Sequence, residues 1–214
     1  MNSITQIINE NIQKDRKSHE VKSWTPSRLG SCLTGLYLER LGIEPDKDFD
    51  EKTLRIFSVG KIFEEWVVDQ IKESYQVDTQ IRLEWPEYDM TGYADALIED
   101  TVYEFKTIHS GGIRRLYQEN KPYDHHVKQL WVAMKILKKD TGRLVYIGKD
   151  SLGILEFPVS IDDPLGEEAL EELAILNEAW EKKLPPNPPA DSKDWRARYC
   201  RFHVKCVSQP QYLT

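Results

Sequence analysis

Three ionisable residues carry the strongest chemical signal in this 214-residue sequence: Asp95, Glu104 and Lys106. They lie within Gly92-Tyr93-Ala94-Asp95-Ala96-Leu97-Ile98-Glu99-Asp100-Thr101-Val102-Tyr103-Glu104-Phe105-Lys106-Thr107. Strand alternation puts Glu104 and Lys106, two residues apart, on the same sheet face. A symmetric reversal at Glu99-Asp100 pairs Ile98 with Thr101 and sets Asp95 directly across from Glu104. Directly opposed residues have Cβ atoms ~4.5–5.5 Å apart. Two facing carboxylates repel unless a cation joins them. Mg²⁺ suits such a pair, because it takes oxygen ligands, often one or two carboxylates, and keeps sites for waters and phosphate oxygens. Lys106 alongside could hold an attacking water or balance charge on a phosphate. Its neighbours Ala94, Ala96, Ile98, Tyr103 and Phe105 are apolar, and charges emerging from a buried sheet need a partner or a function. The competing reading is an edge hairpin whose three charges form a solvated salt-bridge group.

Other residues bear on the choice. Glu64 lies four residues from Gly60 and from Val68, within the apolar stripe of a helix, where a carboxylate faces the core or a site. Gln129, beside His125 and His126, could position a phosphate or a base, although solvated polar residues on a helix flank are the commoner case. From Glu104 to Arg143 nine Lys/Arg, among them Arg114, Arg115, Lys121 and Lys128, stand against four acids, a local charge of +5. The whole chain is −7, which excludes a uniformly basic nucleic-acid binder but leaves a local basic strip. Lys193, Arg196, Arg198, Arg201 and Lys205 make the tail basic too.

The elements that must carry these residues follow from pattern. Residues 1–24 read as an N-terminal arm or short helix, 25–184 as the core, and 185–214 as a basic, cysteine-containing tail. Thr25-Pro26-Ser27 starts a helix, with Leu29, Cys32, Leu33, Leu36 and Tyr37 at helical spacing to about Leu41. A second helix runs from about Lys52 to Ser74, with Phe57, Gly60, Val67, Val68 and Ile71 on one face. Strands follow near 77–85, 89–98 and 101–108. Residues 109–122, with Ser110-Gly111-Gly112, read as a mobile loop guarding an entrance, and 123–139 as a helix with a core stripe. Strands near 143–149 and 153–158 precede an acidic helix over 163–183, which Pro185, Pro186, Pro188 and Pro189 end. This order predicts an α/β architecture around a central mixed sheet flanked by helices. No apolar run reaches the ~18–20 residues of a membrane span, and the polar N-terminus does not read as a signal peptide. Three cysteines do not suggest a disulfide framework, and the expected location is cytoplasmic.

Taken together, the sequence resembles the PD-(D/E)XK nuclease superfamily, in particular its RecB-like exonucleases with CRISPR-associated and phage members, from Ser27 to Cys206. Ser27-Arg28-Leu29-Gly30-Ser31-Cys32 is similar to the family's Ser-x-Leu-x-x-Cys opening, and Gly60 to Glu64 to its Gly-x-x-x-His/Glu helix motif. Asp95 and Glu104-Phe105-Lys106 match its metal-binding core, and Gln129 matches the glutamine on the following helix, where Ala133 replaces a frequent tyrosine. The resemblance implies a restriction-endonuclease-like core and a Mg²⁺- or Mn²⁺-dependent DNA exonuclease. Asp95, Glu104, the Phe105 carbonyl and Glu64 would be its metal ligands, Lys106 would orient the attacking water, and Gln129 with Arg114, Arg115, Lys121 and Lys128 would hold DNA. Recombination, repair or CRISPR-adaptation proteins are the implied partners, and a non-catalytic DNA-end-binding adaptor or subunit is the alternative. Such nucleases often hold a 4Fe–4S cluster on one early and three late cysteines. Cys32, Cys200 and Cys206 fit that pattern, Ala197 stands where the fourth belongs, and His203 is a possible substitute. An iron–sulfur cluster, Zn²⁺ and three plain reduced thiols all remain open.

Overall fold

The β-branched and aromatic stretch from Val77 to Ile108 folds into three antiparallel strands: β1 (Val77–Trp85), β2 (Met90–Ile98) and β3 (Thr101–Ile108). In this computed structural model, which describes residues 3–15, 21–187 and 194–208, two more strands complete one sheet. β4 (Thr141–Gly148) pairs parallel to β3, and β5 (Ile154–Ser160) antiparallel to β4, so the strand order is β1-β2-β3-β4-β5. The sheet is mixed, as expected. A parallel β3–β4 step requires a crossover, and α4 (Ser110–Glu119) and α5 (Asp124–Leu137) supply it.

Each face of the sheet is covered by a different helix. Val127, Leu130, Ala133 and Met134 of α5 pack on Leu83, Ala94, Val102, Leu144 and Tyr146. On the other face Val67, Val68 and Ile71 of α3 (Glu51–Ile71) pack against Ala96, Phe105 and Val145. α6 (Leu165–Lys182) buries Ala169, Leu173 and Leu176 beside Trp131 and Val132, backing α5 from outside. α1 (Ile4–Asp15) lies on α3. In the tail, α7 (Trp195–Arg198) and α8 (His203–Ser208) flank Phe202, which is buried with Tyr37 and Leu38 of α2 (Leu33–Arg40). Pro188, Pro189 and Lys193 lie outside the described residues.

Three local expectations are corrected. Residues 109–122 are not a loop: α4 is capped by His109, whose Nδ1 accepts the Gly111 N–H, and is anchored by buried Gly112 and Leu116. The two glycines fall in the first turn, where this cap compensates for their poor helix propensity. The helix expected from Thr25 is broken. A single 3₁₀ turn (Pro26–Arg28) precedes Gly30 at φ +76°, and a Cβ there would stand 2.7 Å from His125 Cβ, so the close approach to α5 needs glycine. Phe57 is not on the core face of α3; it is 49% exposed and edge-on to Phe49, and Leu54 is buried instead. Only the C-terminal half of α3 covers the sheet.

Candidate active site

The β2–β3 hairpin has the register expected from a reversal at Glu99-Asp100: Ile98 pairs with Thr101, Leu97 with Val102 and Ala96 with Tyr103. The ladder then stops one step short of Asp95 and Glu104, which are therefore not ladder partners. Asp95 instead turns its carboxylate to the backbone, its Oδ2 accepting the Phe105 N–H at 2.8 Å. The β1–β2 ladder also skips this level, passing from Thr79–Ala96 to Ile81–Ala94, and Gln80 sits in the left-handed region at φ 51°. On one side of this break Val77 and Ala96 face α3; on the other, Ile81 and Ala94 face α5. Strict alternation would have kept Ala94 and Ala96 on one face.

Beside the break lies a closed triangle of side chains. Glu104 is 2% exposed, and its Oε1 accepts from Gln129 Nε2 at 2.6 Å and from Lys106 Nζ at 2.6 Å. Lys106 Nζ also donates to Gln129 Oε1 at 2.9 Å. α5 delivers Gln129 because its apolar stripe docks on the sheet, bringing the adjacent polar position over β3. Burial, then the charges of Glu104 and Glu64, push the Asp95 carboxyl above the carboxylate range. Glu64 is raised as well, chiefly by burial. Burial works against the Lys106 ammonium, but Glu104, Asp95 and Glu64 outweigh it and hold its pKa above the ordinary value. One cation among three carboxylates is an environment short of positive charge.

Glu64 is half-buried on α3, and Gln80 Nε2 donates to its Oε1 at 2.5 Å. Sequence reading missed Gln80; its polar side chain at the level of Asp95 was the available hint. It also missed Tyr146, whose hydroxyl bonds His126 Nδ1 at 2.9 Å and accepts the Tyr123 N–H. Burial, reinforced by Lys106 and His125, lowers the His126 pKa to about 2, so this ring stays neutral. The sequence offered no signal for that contact.

The basic strip is largely neutralised. Lys128 is buried and binds Glu172 at 2.7 Å and Glu168 at 2.8 Å, tying α5 to α6 at the wall of a groove. Arg115 pairs with Glu119 and Lys121 with Asp124, both on the surface, while Arg114 is exposed on α4. The same pairing engages two acids of α6. Arg115, Lys121, Tyr123, His125 and Trp195 line a groove of about 1010 Å³ between α4–α5 and the tail.

Two ion sites can be judged from their donors. Among the described residues no three His, Cys, Asp or Glu side chains gather into a metal-holding group. Mg²⁺ and Mn²⁺ do not need one: one or two carboxylates suffice when waters and phosphate oxygens complete the shell. Asp95 and Glu104, oxygen donors in a cation-poor setting, fit that requirement. Zinc and iron–sulfur sites draw three or four ligands from the protein. Cys32 and Cys200 are in contact, but with His203 and Cys206 they do not form such a set, and the fourth position is the buried Ala197. Those donors do not fit.

No family model and no curated protein sequence matches the chain. Solved structures do. The crystal structure of SSO0001 superposes with a TM-score of 0.64 at 23% identity, covering 100% of this chain and 98% of that one. The alkaline exonuclease LHK-Exo from Laribacter hongkongensis gives 0.59 at 16% identity over 81% of this chain and 93% of that one, and its complex with dAMP gives 0.60. A phage-related exonuclease from Haemophilus somnus 129PT gives 0.51 at 9% identity, over 71% and 80% of the two chains. A five-stranded mixed sheet with an acid at a broken ladder, a Glu-x-Lys on the next strand and a glutamine from the crossover helix thus shares the α/β fold of these exonuclease structures.

Proposed function

We propose that the protein is a divalent-metal-dependent DNA exonuclease that hydrolyses phosphodiester bonds. The observation that carries this reading is the Glu104–Lys106–Gln129 triangle beside Asp95: a buried, hydrogen-bonded set in which acids outnumber cations. Asp95 and Glu104 would hold Mg²⁺ or Mn²⁺, with the Phe105 carbonyl and Glu64 as further oxygen donors. When bound, such an ion supplies Lewis acidity at the scissile phosphate and makes a coordinated water more acidic. Lys106, kept protonated by the surrounding carboxylates, presents its Nζ protons to the attacking water or to a phosphate oxygen, and so orients in-line attack. Gln129 fixes both the ammonium and the Glu104 carboxylate, so neither reorganises during the reaction. Asp95 is held in place by the Phe105 N–H. Arg114 and the outer residues of α4 would contact the strand. The exonuclease relatives, one of them solved with dAMP, support DNA as the substrate. The setting would be recombination, repair, or phage or CRISPR DNA processing in the cytoplasm.

The test uses purified protein with end-labelled linear DNA and with circular DNA, each with and without Mg²⁺ or Mn²⁺. The expected result is metal-dependent loss of linear molecules from their ends. Circles degraded as fast as linear DNA would overturn the exonuclease assignment, and no cleavage under any condition would overturn the enzymatic one.

A further inference from the structure

The junction of α2 with the tail holds two cysteines that the active site does not use. Cys32, at the N-cap of α2, is buried, and the Cys200 sulfur comes against the same first turn of the helix. Gly35, one turn along α2, makes this approach possible: a Cβ there would stand 2.7 Å from Cys200 Sγ and 3.7 Å from Cys32 Cβ. Both cysteines line a cavity of about 210 Å³, together with Arg28, Arg196 and Arg201. Where the family resemblance implies a four-ligand metal centre, this chain offers a close thiol pair, a third cysteine and an alanine.

We infer that Cys32 and Cys200 are a redox-active dithiol that closes to a reversible disulfide by exchange with a small-molecule disulfide of the glutathione class, fastening the tail to α2. The neighbouring Cys200 lowers the Cys32 thiol to about 6 and so favours its thiolate, Cys32 in turn pushes the Cys200 thiol up, and Arg196 is near enough to interact with the Cys32 charge. A thiolate is the attacking species in exchange. Cys32 sulfur attacks one sulfur of the small disulfide, whose S–S bond breaks and releases one small thiolate; that thiolate takes up the Cys200 proton. Cys200 sulfur then attacks the mixed disulfide at Cys32 and expels the second small thiolate, which is protonated from solvent. The protein dithiol loses two electrons and the small disulfide gains them. Cys206 is a poor competitor, because burial and the neighbouring Cys32 and Asp46 charges push its thiol up to about 11.

The experiment equilibrates the full chain with graded ratios of reduced to oxidised glutathione, alkylates free thiols and maps peptides by mass spectrometry. A Cys32–Cys200 linked peptide is expected, reversible on reduction, with Cys206 alkylated throughout and the link retained in Cys206→Ser. The bond closes a long loop, so the oxidised form should melt roughly 5–10 °C higher. Gly35→Ala should weaken the link by pushing the sulfurs apart, and the wild-type map stands independently of how well that variant folds. Full alkylation of Cys32 and Cys200 at every ratio, a link through Cys206, or stoichiometric iron or zinc in the isolated protein would each overturn the inference.

Discussion

Lys106 and Lys128 both belong to the basic stretch that the sequence offers as a nucleic-acid strip, and both are withdrawn from solvent beside glutamates. Their surroundings make them different groups. Lys128 has 8% of its side chain exposed, and its two carboxylate partners come from α6, on the outer side of α5. It closes a helix–helix seam at the edge of the groove beside the tail. The Lys106 side chain is 22% exposed, is shared between Glu104 and Gln129, and stands in the field of Asp95 and Glu64 at a broken strand ladder. One of the two acids beside Lys128 is open to solvent, which screens the surplus charge, whereas the acids around Lys106 are withdrawn and leave charge for a ligand to complete.

Four measurements can break or sharpen this contrast. The largest effect is expected from Lys106→Ala or Glu104→Ala, which should reduce cleavage by roughly 10³-fold or more, the loss of a charged group that acts on the transition state. The circular-dichroism spectrum should be unchanged, and full activity in either variant would remove the substituted residue from the site. Lys128→Ala should do the opposite. Leaving Glu172 with only the Gly30 N–H should cost about 3 kcal/mol in denaturant unfolding, while the folded fraction cleaves normally. A stable Lys128 variant would return that residue to the surface strip.

Next comes ion binding: Mg²⁺ at a hundred times its Kd should stabilise the wild type by about 2.7 kcal/mol. Asp95→Asn should abolish most of that gain, and an equal gain in this variant would place the ion elsewhere. The smallest effect concerns His126. Its folded pKa of about 2 lies below that of an unfolded histidine, so the unfolded chain binds the extra proton and stability falls as pH drops below about 6.5. His126→Gln should flatten that slope by at most about 1.4 kcal/mol per pH unit. An unchanged slope in thermal melts from pH 6.5 to 4.5 would show that other groups set it.

Much of the site was legible because it rests on short-range rules. Alternation and a two-residue reversal placed Ile98 opposite Thr101 and Glu104 beside Lys106, but the ladder opens before Asp95, whose carboxylate turns to the Phe105 N–H instead. The apolar stripe of α5 gave Gln129 its side of the helix. What failed depended on neighbours distant in sequence. Gly111-Gly112 read as a loop until His109 capped them and Leu116 found a core. Gly30 broke an apparently continuous helix because His125 comes against it. Phe57 kept helical spacing with core residues, yet α3 leaves the sheet before reaching that position.

The sequence by itself determined the periodic part of this protein: the strands of the sheet, the longer helices, the hairpin register at its turn, and the acids and lysine that β2 and β3 carry. Period and turn chemistry act over a few residues, so they can be read there. Only the tertiary structure decided which charges are spent inside and which remain for chemistry. Lys128 meets Glu172 and Cys32 meets Cys200 across long stretches of chain, and Asp95 takes a backbone partner where the ladder opens. Such contacts are set by how whole elements pack, which no local pattern encodes.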